Sequence, residues 1–369
     1  MLIFALGLLA ALWALSLASV VLDLPNAVPI AVRPPPVEAP LVAILVPARD
    51  EAHQIEACLR SLLSQDWPNL RVVCVDDRSE DGTWVAAKRC ADPRLELVRG
   101  SALPAGWLGK NHANTEAVAR ATDARFFLFT DADTVHAPSA LSSAMAAMGD
   151  ADLLTVLGEA RAETFWERML LPHVLANLVT LFPLRRVNDP RSRVAIANGQ
   201  YLLIRREAYD AVGGHAAIRD RVADDLELAR LVKRSGRRLR AVVGRHLYSV
   251  RMYTSFSQIW WGFAKNAAAG AGGPIRALLG VLLILASVAP FYALPFLRGP
   301  ALLLAATACA LALLQRALVF HRLFPVRWPY VLALPLAQAI FAGIAIHSAA
   351  RQLLGKGPRW KGRSYPHGR

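Results

Sequence analysis

Cysteines and glycine-rich nucleotide-binding motifs are scarce in this sequence. Its 369 residues include only four cysteines, without Cys-x-x-Cys spacing, at Cys58, Cys74, Cys90 and Cys309. A zinc site and a disulfide framework are therefore not indicated, and buried, inert thiols are expected. No Gly-x-Gly-x-x-Gly follows the first strand-like run and no Walker A sequence occurs, which disfavours dinucleotide and P-loop sites.

Basic residues are absent from the N-terminus, where Arg33 is the first Lys or Arg. A secretory signal peptide normally begins with a basic segment. Residues 2–22 form an uninterrupted apolar run that is long enough to cross a bilayer. We therefore predict a retained membrane anchor, with a cleaved leader as the alternative.

The composition predicts further membrane segments. Hydrophobic residues make up 55% of the chain, and the mean hydropathy of +0.34 is high for a soluble protein. Candidate spans are residues 277–297, 301–319 and 329–350. The predicted organisation is an anchor over residues 1–23, a proline-rich linker over 24–40, an α/β domain over 41–255, an interfacial helix over 256–275, membrane segments over 276–350 and a basic tail over 351–369.

Acidic residues are fewer than basic ones, 28 against 42, which gives a net charge of +14. The basic residues are spread along the chain and recur in the tail, at Lys356, Arg359, Lys361, Arg363 and Arg369. This distribution favours cytoplasmic flanks and anionic lipid over nucleic acid. Three crossings after a cytosolic domain would put the tail outside, against the positive-inside rule. Because residues 329–350 contain Pro329 and Pro335, we expect that segment to be re-entrant or interfacial.

Strand-like and helix-like segments alternate after the linker. Strands are predicted at residues 41–46, 71–75, 95–98 and 125–130, and helices at 55–64, 83–90 and 111–121. Such alternation predicts an α/β fold, a mostly parallel sheet with helices on both faces. Ligands of these sheets bind beyond the carboxyl ends of the strands.

Polar residues follow three of these strands. Asp131-Ala132-Asp133 ends the fourth, and two carboxylates one residue apart suit Mg²⁺ or Mn²⁺ with a diphosphate. Taken alone, this triplet is better explained as a helix cap. Arg49 and Glu51 follow the first strand and Asp76 ends the second, so a shared site is the better explanation.

Together these segments resemble the family 2 glycosyltransferases. The resemblance covers residues 40–266 and depends on residues 46–51, 75–83, 131–133 and 224–228. Residues 106–110, 251–253, 262–266 and 360–365 are similar to a branch that contains carotenoid-acid and hopanoid-associated glycosyltransferases. The resemblance implies a GT-A nucleotide-sugar-binding fold between N-terminal and C-terminal transmembrane helices.

The resemblance also implies roles for individual residues. Asp225 is the expected general base, and Asp133 with Asp131 the expected ligands of Mg²⁺ or Mn²⁺. The expected donor-binding residues are Pro47, Arg49, Glu51, Asp76, Lys110 and Asp131, and the acceptor-side residues are Asn198, Gly199, Gln200 and Asp224. The alternatives are a surface ion pair for Arg49 and Glu51, a solvated surface lysine for Lys110, and an acidic helix start for Asp224 and Asp225.

Two further segments concern the acceptor. Processive synthases of the family carry Gln-x-x-Arg-Trp. The comparable residues 258–261 are Gln-Ile-Trp-Trp and lack that arginine, which favours a single transfer. Residues 165–182 are apolar over most of a helix surface, so they are either an ordinary core helix or part of a membrane-facing surface beside the site. The second alternative implies a lipid acceptor.

The expected function is a membrane-bound inverting glycosyltransferase that moves one hexose, with glucose from UDP-glucose as the leading choice, to a lipid. Its catalytic domain would face the cytosol from the inner (cytoplasmic) membrane. Transfer to a polyprenyl phosphate or a ceramide-like lipid remains open within the enzyme class. A non-catalytic membrane protein that binds a nucleotide or anionic lipid is the alternative of a different class.

Overall fold

The computed structural model describes residues 1–324 and 327–355, and the backbone of residues 359–360 and 363–364. Of the residues singled out at the C-terminus, Lys356, Lys361, Tyr365 and Arg369 lie outside the described residues, as do the side chains of the others beyond residue 355.

Two main sheets and many helices make up the chain. The strands are β1 (Val42–Ala48), β2 (Leu70–Asp76), β3 (Leu95–Arg99), β4 (Phe126–Phe129), β5 (Thr134–His136), β6 (Leu153–Leu157), β7 (Glu159–Ala160), β8 (Leu202–Arg205), β9 (Leu239–Val243), β10 (Tyr248–Val250), β11 (Arg359–Trp360) and β12 (Arg363–Ser364). The α-helices are α1 (Leu2–Asp23), α2 (Ile55–Leu63), α3 (Thr83–Lys88), α4 (Gly109–Ala119), α5 (Ala140–Met148), α6 (Phe165–Leu181), α7 (Leu184–Asn188), α8 (Arg206–Ala211), α9 (Asp224–Arg234), α10 (Phe256–Gly270), α11 (Pro274–Ala293), α12 (Gly299–Leu323) and α13 (Leu334–Leu353).

The seven-stranded sheet has the order β3-β2-β1-β4-β8-β6-β9. Parallel pairing joins β1 to both β2 and β4, and β2 to β3. Only β8 reverses direction, because it lies antiparallel between β4 and β6. The mostly parallel α/β sheet predicted from the alternation is confirmed. A smaller sheet, β5-β10-β7, follows beyond the carboxyl end of β4.

Hydrophobic residues cover both faces of this sheet. Alternate residues of a strand point to opposite faces, so Ala43 and Leu45 belong to one core cluster and Val42 and Ile44 to another. The first cluster also contains Val20 of α1 together with Val319, Phe320 and Leu323 of α12. The α/β domain therefore packs directly on the ends of two apolar helices.

The segment between α1 and β1 contacts the outer strand β9 of the domain. Pro29 forms a parallel bridge with Val243, and Ile30 N donates to Val243 O at 2.9 Å, so the segment lies along the outer strand β9. Asp23, at the end of α1, accepts hydrogen bonds from the backbone N–H groups of Leu184 at 2.8 Å and Arg185 at 2.7 Å. These long-range contacts tie the anchor to the domain, which local proline content could not reveal.

Among the described residues, four helical segments are long and apolar enough to cross a membrane: Leu2–Ala27, Pro274–Phe296, Gly299–Leu323 and Trp328–Leu353. Leu6 of α1 clusters with Leu297 and Ala305, so the beginnings of α1 and α12 meet at the end of α11, far from the domain. The crossings themselves stay a prediction, since length and composition alone define these segments.

Helix α13 begins part-way along its neighbours. Leu334 clusters with Val288 and Ala312, in the middle of α11 and α12. Ala349, near the end of α13, clusters with Ala277 at the beginning of α11. Helix α12 ends against the domain core, and α13 ends beside the beginning of α11. The re-entrant path of this segment stays a prediction.

Candidate active site

A cavity of about 870 Å³ opens beyond the carboxyl ends of β1 and β4. It brings together eleven of the twelve residues predicted for the site, namely Pro47, Arg49, Glu51, Lys110, Asp131, Asp133, Asn198, Gly199, Gln200, Asp224 and Asp225. The exception is Asp76, which does not line it.

Asp76 is buried at the end of β2, where both carboxylate oxygens already have partners. Arg99 donates to Oδ2 at 2.6 Å and the Ser79 N–H donates to Oδ1 at 3.1 Å. The Arg99 guanidinium also lies 4.1 Å from the centre of the Trp84 ring. The predicted contact of Asp76 with a nucleoside stays a prediction.

Arg49 braces the loops that follow β1 and β2. Its guanidinium is buried and donates to the carbonyl oxygens of Asp77 at 2.7 Å and Arg78 at 3.1 Å. Asp50 and Arg78 both adopt left-handed backbone conformations, with φ of 52° and 57°. Such conformations are unfavourable for residues other than glycine, so hydrogen bonds between the two loops are needed to hold them. A simple surface ion pair does not describe Arg49.

The loop after β4 is held by buried hydroxyl groups. Thr134 Oγ1 donates to Asp131 O at 2.8 Å, and Thr130 Oγ1 donates to Gln200 O at 2.7 Å. The His136 ring lies within hydrogen-bond distance of both hydroxyls, and burial lowers its pKa to about 3, which keeps it neutral. Because β5 follows this loop, Asp131 and Asp133 do not cap a helix.

Asp133 has the properties of a cation ligand. Its Oδ1 is buried and has no hydrogen-bond partner among the described residues. Burial, then the charges of Asp131 and Glu51, raise its pKa to about 7. A hard divalent cation would relieve this repulsion. No cluster of three or more His, Cys, Asp or Glu residues that could hold a metal ion occurs in the described part of the chain. A cation held by Asp133 and Asp131 would therefore need further ligands, such as phosphate and water.

Lys110 connects the predicted donor and acceptor sides. Its Nζ lies 2.8 Å from Asp131 Oδ1 and 3.3 Å from Asp224 Oδ2, so it is not a solvated surface lysine. Burial opposes its charge, but Asp131, Asp224 and Asp225 together raise the pKa of Lys110 above its ordinary value. The ammonium group therefore stays protonated between the carboxylates.

Asp225 lies in the first turn of α9, against the loop that precedes β8. Its Oδ2 accepts from Gly199 N at 2.9 Å and its Oδ1 from Leu226 N at 2.7 Å. Burial, then the neighbouring charge of Asp224, raise the pKa of Asp225 to about 6. Burial also disfavours the charge of Asp224, but Lys110 outweighs it and the pKa of Asp224 is lowered.

Gly199 allows this close approach. A Cβ atom at Gly199 would lie 3.0 Å from Lys110 Nζ and 3.5 Å from Asp225 Oδ2. The neighbouring Asn198 fixes the loop, since its N–H donates to Thr155 Oγ1 at 2.9 Å and its side-chain amide donates to Tyr248 Oη at 2.9 Å. The loop is thus anchored to β6 and β10.

The other walls of the cavity are apolar. Helix α6 contributes Leu175, Leu178, Val179 and Phe182, the end of α12 contributes Leu323 and Phe324, and α10 contributes Trp261 and Phe263. Met169, Leu170 and Leu171 are buried as in a core helix, whereas Phe165 and Leu181 are 57% and 70% exposed. A membrane-facing surface on residues 165–182 stays a prediction. The Thr164 capping box and the Arg251–Glu167 ion pair at 3.1 Å fix the beginning of α6.

Lys265 and Arg245 also line the cavity, although neither was predicted as a site residue. The available signal for Lys265 was a lone cation in an apolar helix, which commonly marks a functional position. In the segment that lacks the processive-enzyme arginine, Trp260 donates from Nε1 to His347 Nδ1 of α13 at 2.8 Å.

Residues 43–213 match the family model of glycosyl transferase family 2. The 4,4'-diaponeurosporenoate glycosyltransferase of Staphylococcus aureus strain MRSA252 is 25% identical over 248 residues, which are 66% of this chain and 65% of that protein. The protein of the same name from strain USA300 is 26% identical over 237 residues, 63% of this chain and 62% of that protein. The chain thus aligns with less than two thirds of the length of either relative.

Among solved structures, the fold is similar to that of the mannosyltransferase PcManGT from Pyrobaculum calidifontis in complex with GDP-Man and Mn²⁺. The TM-score is 0.61 at 23% identity, over 96% of this chain and 99% of that chain. The GT-A fold expected from the sequence is confirmed.

Proposed function

We propose that this chain is a membrane-bound inverting glycosyltransferase, because residues 43–213 match the family model of glycosyl transferase family 2. It moves one hexose, with UDP-glucose as the leading donor, to a lipid. The observation that carries this proposal is one cavity that joins a carboxylate and lysine cluster to an apolar wall from α6 and the end of α12.

The donor lies over the loops that follow β1 and β4. Asp133 and Asp131 would hold Mg²⁺ or Mn²⁺, which when bound would supply Lewis-acid stabilisation of the charge on the departing diphosphate. Pro47, Arg49 and Glu51 shape the loop beside the nucleoside, and Asp76 supports it from β2. Lys110 adds a positive charge 2.8 Å from Asp131, at the point where phosphate charge develops.

Asp225 acts as the general base. As the acceptor oxygen forms its bond to the anomeric carbon, its proton passes to the Asp225 carboxylate. The bond between the anomeric carbon and the diphosphate oxygen breaks, and its electron pair leaves with UDP. A pKa of about 6 suits this role, because the carboxylate is ionised near neutral pH and is still basic enough to accept a proton. The Gly199 N–H orients it.

The acceptor is a lipid whose apolar part lies against α6 and the end of α12. Leu178 and Val179 line the cavity wall and are followed on the same helix by the exposed Leu181. A soluble acceptor would not need such a wall. The two S. aureus relatives are named for a carotenoid acid, which supports an apolar acceptor with a carboxyl or hydroxyl end.

Transfer occurs once per acceptor, on the cytosolic face of the inner membrane. Residues 258–261 lack the arginine of processive synthases, and Trp260 in this segment contacts His347. The packing of the domain against α1 and α12 holds the cavity beside the bilayer.

The test uses full-length protein in detergent micelles with Mn²⁺, UDP-[¹⁴C]glucose and a lipid extract of the native host. We expect labelled lipid from the wild type, and losses of about 10²- to 10⁴-fold in Asp225→Asn and about 10²-fold or more in Asp133→Ala. Asp123→Asn, which alters an exposed carboxylate paired with Arg71, is the control and should retain activity. Undiminished transfer by both site variants, or nucleotide binding without transfer, would contradict the proposal.

A further inference from the structure

Helix α10 places a second lysine in the catalytic cavity. Lys265 lies 52 residues beyond the last residue, 213, of the family-model match, on a helix that packs against α6 and α13. Its side chain is partly buried and lines the same cavity as Asp224 and Asp225. The matched domain alone therefore does not supply every charged group of the site.

The position of α10 is fixed by contacts on both sides of Lys265. Before it, Trp260 Nε1 donates to His347 Nδ1 at 2.8 Å, and Ile259 packs with Met169 of α6. After it, Ala268 N donates to Ser348 Oγ at 3.0 Å. Because these contacts hold the helix to α6 and α13, Lys265 is presented to the cavity by a fixed scaffold.

The charges around Lys265 belong to both halves of the site. Burial, followed by the nearby Lys110 charge, lowers the pKa of Lys265 to about 8, while Asp224, Asp131 and Asp225 oppose this shift. Trp261 and Phe263 on the same helix also line the cavity. Lys265 is thus a cation in the same cavity as the predicted base, on a helix that also supplies apolar wall residues.

We propose that Lys265 binds the attacking oxygen of the acceptor beside Asp225, so that α10 completes the active site. This inference rests on the proposed function. The Lys265 ammonium donates a hydrogen bond to the acceptor hydroxyl or carboxylate oxygen and keeps its own proton. A hydroxyl proton passes to Asp225, whereas a carboxylate acceptor brings none. In both cases the electron pair of the donor bond leaves with UDP.

The experiment compares Lys265→Met and Lys265→Arg with wild type and with Lys88→Met, an exposed lysine of α3 outside the cavity. The probes are UDP-[¹⁴C]glucose with Mn²⁺ and the host lipid extract. Transfer is measured against lipid concentration, slow hydrolysis of the donor is measured without lipid, and UDP binding is measured by calorimetry.

We expect Lys265→Met to lower kcat/KM for the lipid about 10- to 100-fold, the loss typical of a hydrogen bond to a charged group. Lys265→Arg should recover part of it, while UDP affinity and donor hydrolysis stay within about twofold of wild type, a range that corresponds to less than 0.5 kcal/mol. Lys88→Met should match wild type.

Two results overturn the assignment. Unchanged lipid transfer in Lys265→Met would show that the lysine does not contact the acceptor. A parallel loss of UDP affinity would instead make it a donor-binding residue. Failure of the wild type itself to label any lipid would contradict the proposed function, and that outcome is distinct from both.

Discussion

Replacing Lys110 or Asp224 should move the acid limb of the pH profile in opposite directions. Asp225 must be ionised to act as a base, and its pKa is raised to about 6 by burial and then by Asp224, while Lys110 lowers it. Asp224→Asn removes the charge that raises this pKa, so the acid limb should move to lower pH. Lys110→Met removes the charge that lowers it, so the limb should move to higher pH.

The size of these shifts follows from the surroundings of Asp225. A neighbouring charge typically moves a carboxyl pKa by about 1–3 units, and the cavity is partly open to solvent, so we expect shifts of about one unit. In the wild type, kcat/KM should be near its plateau at about pH 7 and fall about tenfold per pH unit well below pH 6.

The assay is the initial rate of lipid labelling at subsaturating lipid from pH 4.5 to 8.5, at constant ionic strength and saturating Mn²⁺ and donor. The control Asp123→Asn should keep the wild-type profile. An acid limb that moves in the same direction in both variants, or not at all, would refute the assignment of Asp225 as the titrating base.

Three further predictions concern the cavity wall, stability and topology. Val179→Trp should lower lipid transfer at least about tenfold, by steric overlap with the acceptor chain, and should leave donor hydrolysis unchanged. Leu181→Trp, on the exposed side of α6, should leave both rates unchanged. Glu167→Gln should lower the free energy of unfolding by about 3 kcal/mol, measured by chemical denaturation, because it breaks a buried ion pair with Arg251; an unchanged midpoint would contradict this. A reporter after Arg369 should lie in the same compartment as one in the domain, because a re-entrant α13 returns the chain to the side of the domain. A reporter on the opposite side would exclude the re-entrant α13.

The strand-end loops were predictable because their signals are local. Apolar runs that end in Asp76, Asp131 or Arg49 give the ends of parallel strands, and such ends share one edge of a sheet. Five of the eleven predicted residues that line the cavity lie at or after the end of β1 or β4, and the other six were predicted from the family resemblance. Asp76 departs from the pattern because its partner is Arg99, 23 positions away on β3.

The parts that sequence reasoning missed depend on contacts between distant segments. Pro29 lies on β9 because it bridges Val243, and no local pattern encodes that pairing. Lys265 lines the same cavity as the carboxylates because α10 packs on α6 and α13. The antiparallel direction of β8 in the seven-stranded sheet likewise depends on its neighbours β4 and β6 rather than on its own residues.

The most direct measurement of the central claim is the structure of the product. The donor is UDP-[¹⁴C]glucose, in which the glucose is α-linked. It is incubated with wild-type protein, Mn²⁺ and the host lipid extract, and the labelled lipid is purified for NMR. Our account predicts one β-linked hexose on an apolar lipid, with no product from Asp225→Asn. An α-linked product, a chain of several hexoses or label only in free glucose would contradict it.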